Sequence, residues 1–255
     1  MKKKIGLIIG GILLMSSLTG CATKNKAEIE QSFDKVLAMY PTKNLEDFYD
    51  MEGYRDSEFD KNDKGVWVLN SSMSISKSED SGLVTEGMIV RINRNTKKIK
   101  GKYYTMTAWN DLSKPVEEKE YPVVYTKDGF QLEESISNNN NVAEKIKKFQ
   151  FFVQYANFKK LNTYKNMKKM YNPEVPIYEL EYELTNEDKN VQALREKYDI
   201  PTDKAPTLLL KGRGDLDGSS VGYKQLEFTF DKQIDVFFND SINFQPVSRG
   251  DLINE

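Results

Sequence analysis

Three carboxylates on one predicted strand are the side chains best placed to do chemistry. Glu179, Glu181 and Glu183 alternate with apolar residues in the segment PIYELEYEL, so the three share one strand face. Glycosidases cleave sugars with two carboxylates that face each other across a cleft. The surrounding sequence supplies no opposite wall for such a cleft, so a solvated acidic strand face is the favoured interpretation.

Composition restricts the other catalytic chemistries. The 255 residues include no histidine and one cysteine, Cys21. Histidine-dependent hydrolysis, imidazole zinc sites and intrachain disulfides are therefore excluded. Asp215-Leu216-Asp217-Gly218 resembles the start of a calcium loop, but Leu226 stands at the twelfth position, where that loop needs a glutamate. We predict no catalytic residue, no metal site and no cofactor.

The single cysteine follows an export signal. Lysines 2–4 precede a short apolar run, Ile5–Leu14, which has the form of a signal peptide. That run is shorter than the roughly 20 residues that a membrane-spanning helix needs. Leu18, Thr19 and Gly20, directly before Cys21, resemble a lipobox, the motif that directs attachment of diacylglycerol to the cysteine and cleavage before it.

These features define the expected organisation of the chain. Residues 1–20 form the signal peptide, residues 21–26 the lipidated cysteine with a polar spacer, and residues 27–255 the globular body. Two acyl chains hold a protein at a membrane far more firmly than one. We therefore expect a protein lipid-anchored at the cell membrane, on its extracellular face.

Two Arg-Gly-Asp tripeptides are candidate adhesive loops. Arg213-Gly214-Asp215 and Arg249-Gly250-Asp251 are each followed by leucine. A carboxylate for a receptor metal and a guanidinium for a receptor acid are the groups that integrins recognise. Ordinary turn chemistry is the alternative, because glycine and aspartate are common in turns.

The charge balance is unsuited to nucleic acid. Acidic residues number 39 against 37 basic ones, for a formal charge of −2, and the three leader lysines are expected to be removed. A nucleic-acid binder needs a basic face that displaces counterions from phosphate. We expect no nucleic-acid partner.

Several helices and strands are predicted around these motifs. Apolar residues recur at helical spacing over Ala27–Tyr40, and again from Val142 to Leu161. The second run predicts a long central helix. Alternating segments separated by turn residues predict strands on both sides of it. The expected fold class is α+β, with mostly antiparallel sheet, a long central helix and an N-terminal helix.

Four longer segments carry a family resemblance. They are GVWVLNSSMSIS from Gly65, GKYY from Gly101, YNPEVPIYELEYEL from Tyr171 and LLLKGRGDLDGSSVGYKQLEFTF from Leu208. Together with the lipobox they make the chain resemble the tandem lipoproteins of staphylococci. The resemblance implies stimulation of host innate receptors through the lipid and invasion of host cells. Only Cys21 carries over from that family as a functional residue.

The sequence therefore favours a lipid-anchored surface lipoprotein without enzymatic activity. Its partners would be the membrane, through diacylglycerol on Cys21, and host surface or receptor proteins. A substrate-binding lipoprotein of a transporter is the alternative, and it would need two lobes around a ligand cleft. A cell-wall hydrolase, a third class, is disfavoured because the chain has no histidine and no credible pair of catalytic carboxylates. The sequence does not indicate an oligomeric state.

Overall fold

Ten antiparallel strands form one sheet in the computed structural model, which describes residues 24–53, 62–78, 82–111, 113–133, 140–159, 161–214, 216 and 221–247. The strands are β1 (Val66–Ile75), β2 (Leu83–Asn93), β3 (Lys98–Ala108), β4 (Glu117–Thr126), β5 (Gly129–Leu132), β6 (Lys165–Asn172), β7 (Ile177–Glu183), β8 (Thr207–Arg213), β9 (Tyr223–Asp231) and β10 (Val236–Gln245).

The first and last strands lie side by side at the centre of the sheet. The order is β5-β4-β3-β2-β1-β10-β9-β8-β7-β6, so each half of the chain forms a meander of five strands. The two meanders join where β1 pairs with β10, from Val66 opposite Gln245 to Ile75 opposite Val236. The segment between β5 and β6 therefore has to run from one edge of the sheet to the other.

Local turn chemistry explains the tight connections. The side chain of Asn93 accepts hydrogen bonds from the backbone N–H groups of Asn95 (2.9 Å) and Thr96 (3.1 Å) and so closes the turn between β2 and β3. Gly129, the first residue of β5, has a φ of +93° where the chain turns back from β4, and this backbone conformation favours glycine. Both hairpins join alternating segments that are separated by turn residues, which is the pattern from which the sequence predicts strands.

Three short α-helices are present among the described residues. They are α1 (Lys26–Leu37), α2 (Asn140–Lys148) and α3 (Lys189–Lys197), and 3-10 turns occur at Leu45–Tyr49, Phe152–Gln154 and Leu161–Thr163. Asn25 and Glu28 cap the start of α1 by exchanging side chain to backbone hydrogen bonds of 3.0 and 2.7 Å. None of the described helices is long and apolar enough to cross a membrane.

These elements pack on one face of the sheet. The Phe33 ring of α1 lies 5.8 Å from the ring of Tyr178 on β7, measured between centroids. Phe152 lies 5.0 Å from Phe238 on β10 by the same measure. All of these side chains are 1% exposed or less, and burial of such aromatic surface is the main stabilising contribution to the fold.

The predicted long central helix is wrong, and the α+β class based on it is wrong with it. Helix α2 ends at Lys148, and the chain continues as irregular backbone with 3-10 turns. Phe151, Phe152 and Val153 are consecutive and all buried, which one apolar stripe of a surface helix cannot achieve. The described fold is an extended antiparallel sheet covered by short helices.

Candidate interaction surface

The ten-stranded sheet has one covered face and one open face. On β10 the buried side chains alternate strictly with half-buried ones. The buried set is Val236, Phe238, Asp240, Ile242 and Phe244, and the half-buried set is Phe237, Asn239, Ser241, Asn243 and Gln245. The helix-to-sheet ring contacts involve the buried set and its neighbours on the same face. The half-buried set therefore belongs to a broad face that no described helix packs against.

The centre of this open face is a neutral polar strip. We call it the amide strip and define it as Asn70, Gln225, Asn239, Ser241 and Asn243, which lie on the adjacent strands β1, β10 and β9. The amide of Gln225 donates a hydrogen bond of 2.8 Å to the Asn239 side-chain oxygen. Amides and hydroxyls both donate and accept, so the strip can bond to a partner of mixed polarity.

Tyr104 holds one margin of the amide strip in place. Its hydroxyl donates to the side-chain oxygen of Asn70 at 3.0 Å, although β3 and β1 are separated by β2. Gly87 on β2 permits this reach, because a Cβ atom at that position would lie 2.9 Å from the Tyr104 hydroxyl. The glycine thus allows an aromatic side chain to lie across it.

The three glutamates of β7 lie on the open face, and each forms an ion pair with a lysine. Each carboxylate faces a lysine ammonium, and the pairs are Glu179–Lys211 (3.4 Å), Glu181–Lys232 (3.1 Å) and Glu183–Lys165 (2.5 Å). A small depression of about 150 Å³ lies among them. The carboxylates share one strand face, as the alternation in the sequence predicts, and each is matched to a cation.

A buried carboxylate lies on the covered face opposite the amide strip. The Asp240 carboxylate accepts hydrogen bonds from the Tyr40 hydroxyl at 2.5 Å and from the Ser71 hydroxyl. The backbone N–H of Phe152 donates to Ser71 at 3.1 Å. Burial raises the pKa of Asp240 to about 7, against the lowering effect of the two hydroxyl donors. The sequence interpretation missed this network, although Asp240 interrupts the buried half of an alternating apolar strand.

A buried amine lies on the same covered face. The Lys224 ammonium donates to the Tyr178 hydroxyl at 2.6 Å and lies 5.6 Å from the centroid of the Phe33 ring. Burial lowers the pKa of Lys224 to about 8. Lys224 was also missed, and its alternation with Leu226 and Phe228 is the signal that could have revealed it.

The predicted adhesive tripeptides are described only in part. Arg213 is the exposed last residue of β8, and Gly214 follows it with a φ of +103°. The backbone N–H of Gly214 donates to the Pro176 carbonyl oxygen at 2.9 Å. The remaining predicted site residues, Asp215, Arg249–Asp251 and Leu18–Cys21, lie outside the described residues. Among the described residues no group of three acidic side chains could hold a metal ion.

Comparisons with known proteins give a family assignment. Residues 25–247 match the Csa1 family. An uncharacterised lipoprotein of Staphylococcus aureus strain MSSA476 is 50% identical over 95% of this chain and 96% of its own length. Another, from strain NCTC 8325, is 47% identical over 96% of this chain and 98% of its own. Lipoproteins are held at membranes by covalently attached lipid, so these relatives imply a membrane-anchored localisation. The chain therefore belongs to the Csa1 family and is similar, over nearly its full length, to lipoproteins of Staphylococcus aureus.

Proposed function

We propose that this protein is a lipid-anchored surface protein whose open sheet face binds a macromolecular partner. In this proposal residues 1–20 are removed, diacylglycerol on Cys21 holds the mature chain on the extracellular face of the membrane, and the body acts by binding rather than by catalysis. The partner is a host-surface protein, the lipid engages host innate receptors, and the body contributes to invasion of host cells.

The open face is the observation that carries this proposal. The helices near the sheet pack on the covered face, where they bury Trp67, Phe152 and Phe238 almost completely. The amide strip on the other face stays half-buried and offers both donors and acceptors. Polar surfaces with interspersed tyrosine are well suited to protein recognition, because they combine contact area with adaptable hydrogen bonds.

The chemically unusual groups support binding over catalysis. Asp240 and Lys224 have perturbed pKa values, but their side chains are only 2% and 3% exposed and lie beneath the short helices. A substrate cannot reach them without displacing core aromatic residues. The glutamates of β7 are accessible, yet each is engaged by a lysine.

The architecture favours a surface-binding protein over the alternative hypothesis, a substrate-binding lipoprotein of a transporter. Substrate-binding proteins close two lobes around a ligand. Here the described strands form one continuous sheet, and the buried residues form a single hydrophobic cluster. An open face on one sheet is a surface for docking, whereas a closing cleft needs two bodies that move.

A charge change on the amide strip tests the proposal. Asn239→Lys with Ser241→Lys places two ammonium groups at the centre of the open face, and bacteria producing this variant should adhere to host cells less than wild type. The control is Asn141→Lys with Ala143→Lys, which adds the same charge at two exposed positions of α2. Both variants should be checked for wild-type surface amount and thermal unfolding midpoint. Equal adherence of all three strains would contradict the proposed binding face.

A further inference from the structure

The edge strand β6 carries an accumulation of lysines. The strand reads KNMKKMYN and pairs on one side only, with β7. Lys168 is exposed and, among the described residues, makes no ion pair. Lys169 donates to a backbone oxygen, and Lys165 pairs with Glu183. Met167, between these lysines, is 54% exposed. This edge therefore combines unneutralised positive charge with a protruding apolar side chain.

The same edge lies beside the N-terminal end of the body. The Lys169 ammonium donates to the backbone oxygen of Lys24 at 2.9 Å, and Lys24 is the first described residue. Helix α1 begins immediately afterwards and is attached to the neighbouring strand, where the Tyr182 hydroxyl donates to Glu30 at 2.7 Å. The start of the body is thus fixed at the β6 edge.

The covalent chain leaves little distance between this edge and Cys21. Ala22 and Thr23 alone separate Cys21 from Lys24. Three residue steps reach at most about 11 Å even when fully extended. Electrostatic attraction to a charged surface decays over a Debye length of about 8–10 Å at physiological salt. A lipid on Cys21 therefore brings the lysines of β6 into the range in which membrane charge acts on them.

We propose that the β6 edge of the sheet lies against the anionic phospholipid surface of the membrane and so sets the orientation of the body. This inference rests on the proposed lipid anchor at Cys21. Lys168 and Lys169 contact phosphate-bearing headgroups, and Met167 enters the headgroup layer. Basic segments close to a membrane anchor are attracted to anionic lipid in this way. The sheet then stands away from the membrane, with its open face directed sideways and accessible.

The acidic groups near the edge do not cancel this attraction. Glu28 and Glu30 already pair with Lys24 (3.7 Å) and Lys26 (3.1 Å) on α1. Glu183 is engaged by Lys165, and Glu181, which lies opposite Lys168 in the register of β6 with β7, is engaged by Lys232. Lysines on an edge strand also discourage pairing with another sheet, and this protective role predicts no dependence on lipid charge. The two explanations therefore differ in whether the orientation of the body depends on the charge of the lipid.

Fluorescence energy transfer to labelled headgroups tests the orientation. Cys21 is the single cysteine and its thiol is consumed by the lipid, so Met167→Cys introduces one reactive thiol into the lipidated full chain. Val116→Cys is the matched control. Val116 is 57% exposed and directly precedes β4, which lies near the edge of the sheet opposite β6. The sides of a ten-stranded sheet are on the order of 40 Å apart. The vesicles are pure phosphatidylcholine or an equimolar mixture with phosphatidylglycerol.

The inference predicts strong transfer from position 167 and weak transfer from position 116 in the anionic vesicles. Lys168→Gln with Lys169→Gln should shift the orientational equilibrium by on the order of tenfold and reduce the transfer from position 167. Lys119→Gln with Lys127→Gln, which removes the same charge at exposed positions on β4 and in the turn after it, should leave that transfer unchanged.

Two results would overturn the inference while leaving the anchor intact. One is equal transfer from the two positions in protein that floats with the vesicles. The other is a strong signal from position 167 that is the same in pure phosphatidylcholine. Protein that carries no lipid and does not float with either vesicle would instead overturn the proposed anchor, and the inference with it.

Discussion

The Tyr40 hydroxyl donates a hydrogen bond of 2.5 Å to the Asp240 carboxylate, and the two residues are 200 positions apart in the chain. This bond connects the segment after α1 to the centre of β10. Ser71 on β1 donates to the same carboxylate and accepts from the backbone of Phe152. The hydrogen bonds around this one buried carboxylate thus link the central strands β1 and β10 to the segment after α1 and to the segment that contains Phe152.

Asp240 should make the stability of the body depend on pH. Its pKa is about 7 in the folded protein and about 4 in an unfolded chain, so the folded state binds this proton more tightly. Its contribution to stability is therefore full below about pH 4 and is lost as pH rises through about 7. The chain has no histidine to titrate in the same interval. Urea unfolding of wild type should give a free energy that is lower at pH 8 than at pH 5 by on the order of a few kcal/mol.

Asp240→Asn should abolish most of that difference. Asp235→Asn, in the exposed turn before β10, is the matched control and should keep the wild-type pH dependence. A slope that survives in the Asp240→Asn variant would show that another group is responsible.

Tyr40→Phe should destabilise the fold by about 1–2 kcal/mol, because a buried acceptor loses one of its donors. The hydrogen bond from Tyr40 lowers the pKa of Asp240, so its loss should raise that pKa further. The loss of stability should consequently be larger at pH 8, where the carboxylate is ionised, than at pH 5. Combining Tyr40→Phe with Asp240→Asn should cost less than the sum of the two changes. Strict additivity would mean that the two residues are not coupled.

Lys224 should produce a second pH dependence, of opposite sign and at higher pH. Its pKa is lowered to about 8 in the fold, against about 10.4 in an unfolded chain. The neutral amine is favoured by folding, so this contribution is present above about pH 10.4 and is lost as pH falls through about 8. Wild type should therefore gain stability from this group between those values, and Lys224→Met should not. The exposed control Lys127→Met should behave as wild type in the same denaturation series.

Neighbouring phenylalanines on β10 test which face of the sheet is covered. Phe238 is fully buried, and Phe238→Ala should cost about 3–5 kcal/mol. Phe237 is half-buried on the open face, and Phe237→Ala should cost about 1 kcal/mol. Chemical denaturation of both variants gives the comparison. Similar losses would mean that both faces are covered in solution.

Cys21→Ala should release the protein from the membrane. The thiol is the proposed attachment point for diacylglycerol, and an apolar run as short as Ile5–Leu14 does not replace two acyl chains. Fractionation of cells, with mass spectrometry of the mature N-terminus, should find lipid on wild type alone. Unlipidated wild type in the medium would remove the basis of the proposed function.

Local structure was more predictable from the sequence than long-range structure. The turn after Asn93 and the glycine turn at Gly129 lie between the strands that alternation predicts, because turn chemistry is a local property. Strand β6 was missed, since its lysines and the register shift between Asn166 and Lys168 obscure any alternation. The pairing of β1 with β10 has no local signal at all.

The apolar run that begins within α2 and continues past its end misled the helix prediction for a physical reason. Residues from Val142 onward recur at helical spacing, but Phe151 and Phe152 are large rings that enter the core from adjacent positions. Tertiary packing of these rings prevails over weak helix propensity. Likewise, the functional interpretation of Cys21 came from the sequence, whereas the open face and the network around Asp240 required the fold.

The central pairing of β1 with β10 also sets the order in which the strands can pair while the chain is being made. Synthesis begins at the N-terminus, and β1 to β5 can pair with their sequential neighbours as they appear. The second edge of β1, however, has no partner until the residues up to Gln245 have been synthesised. The last strand to appear is the one that closes the sheet. A chain truncated before β10 would expose an unpaired ten-residue central strand, which is an aggregation hazard.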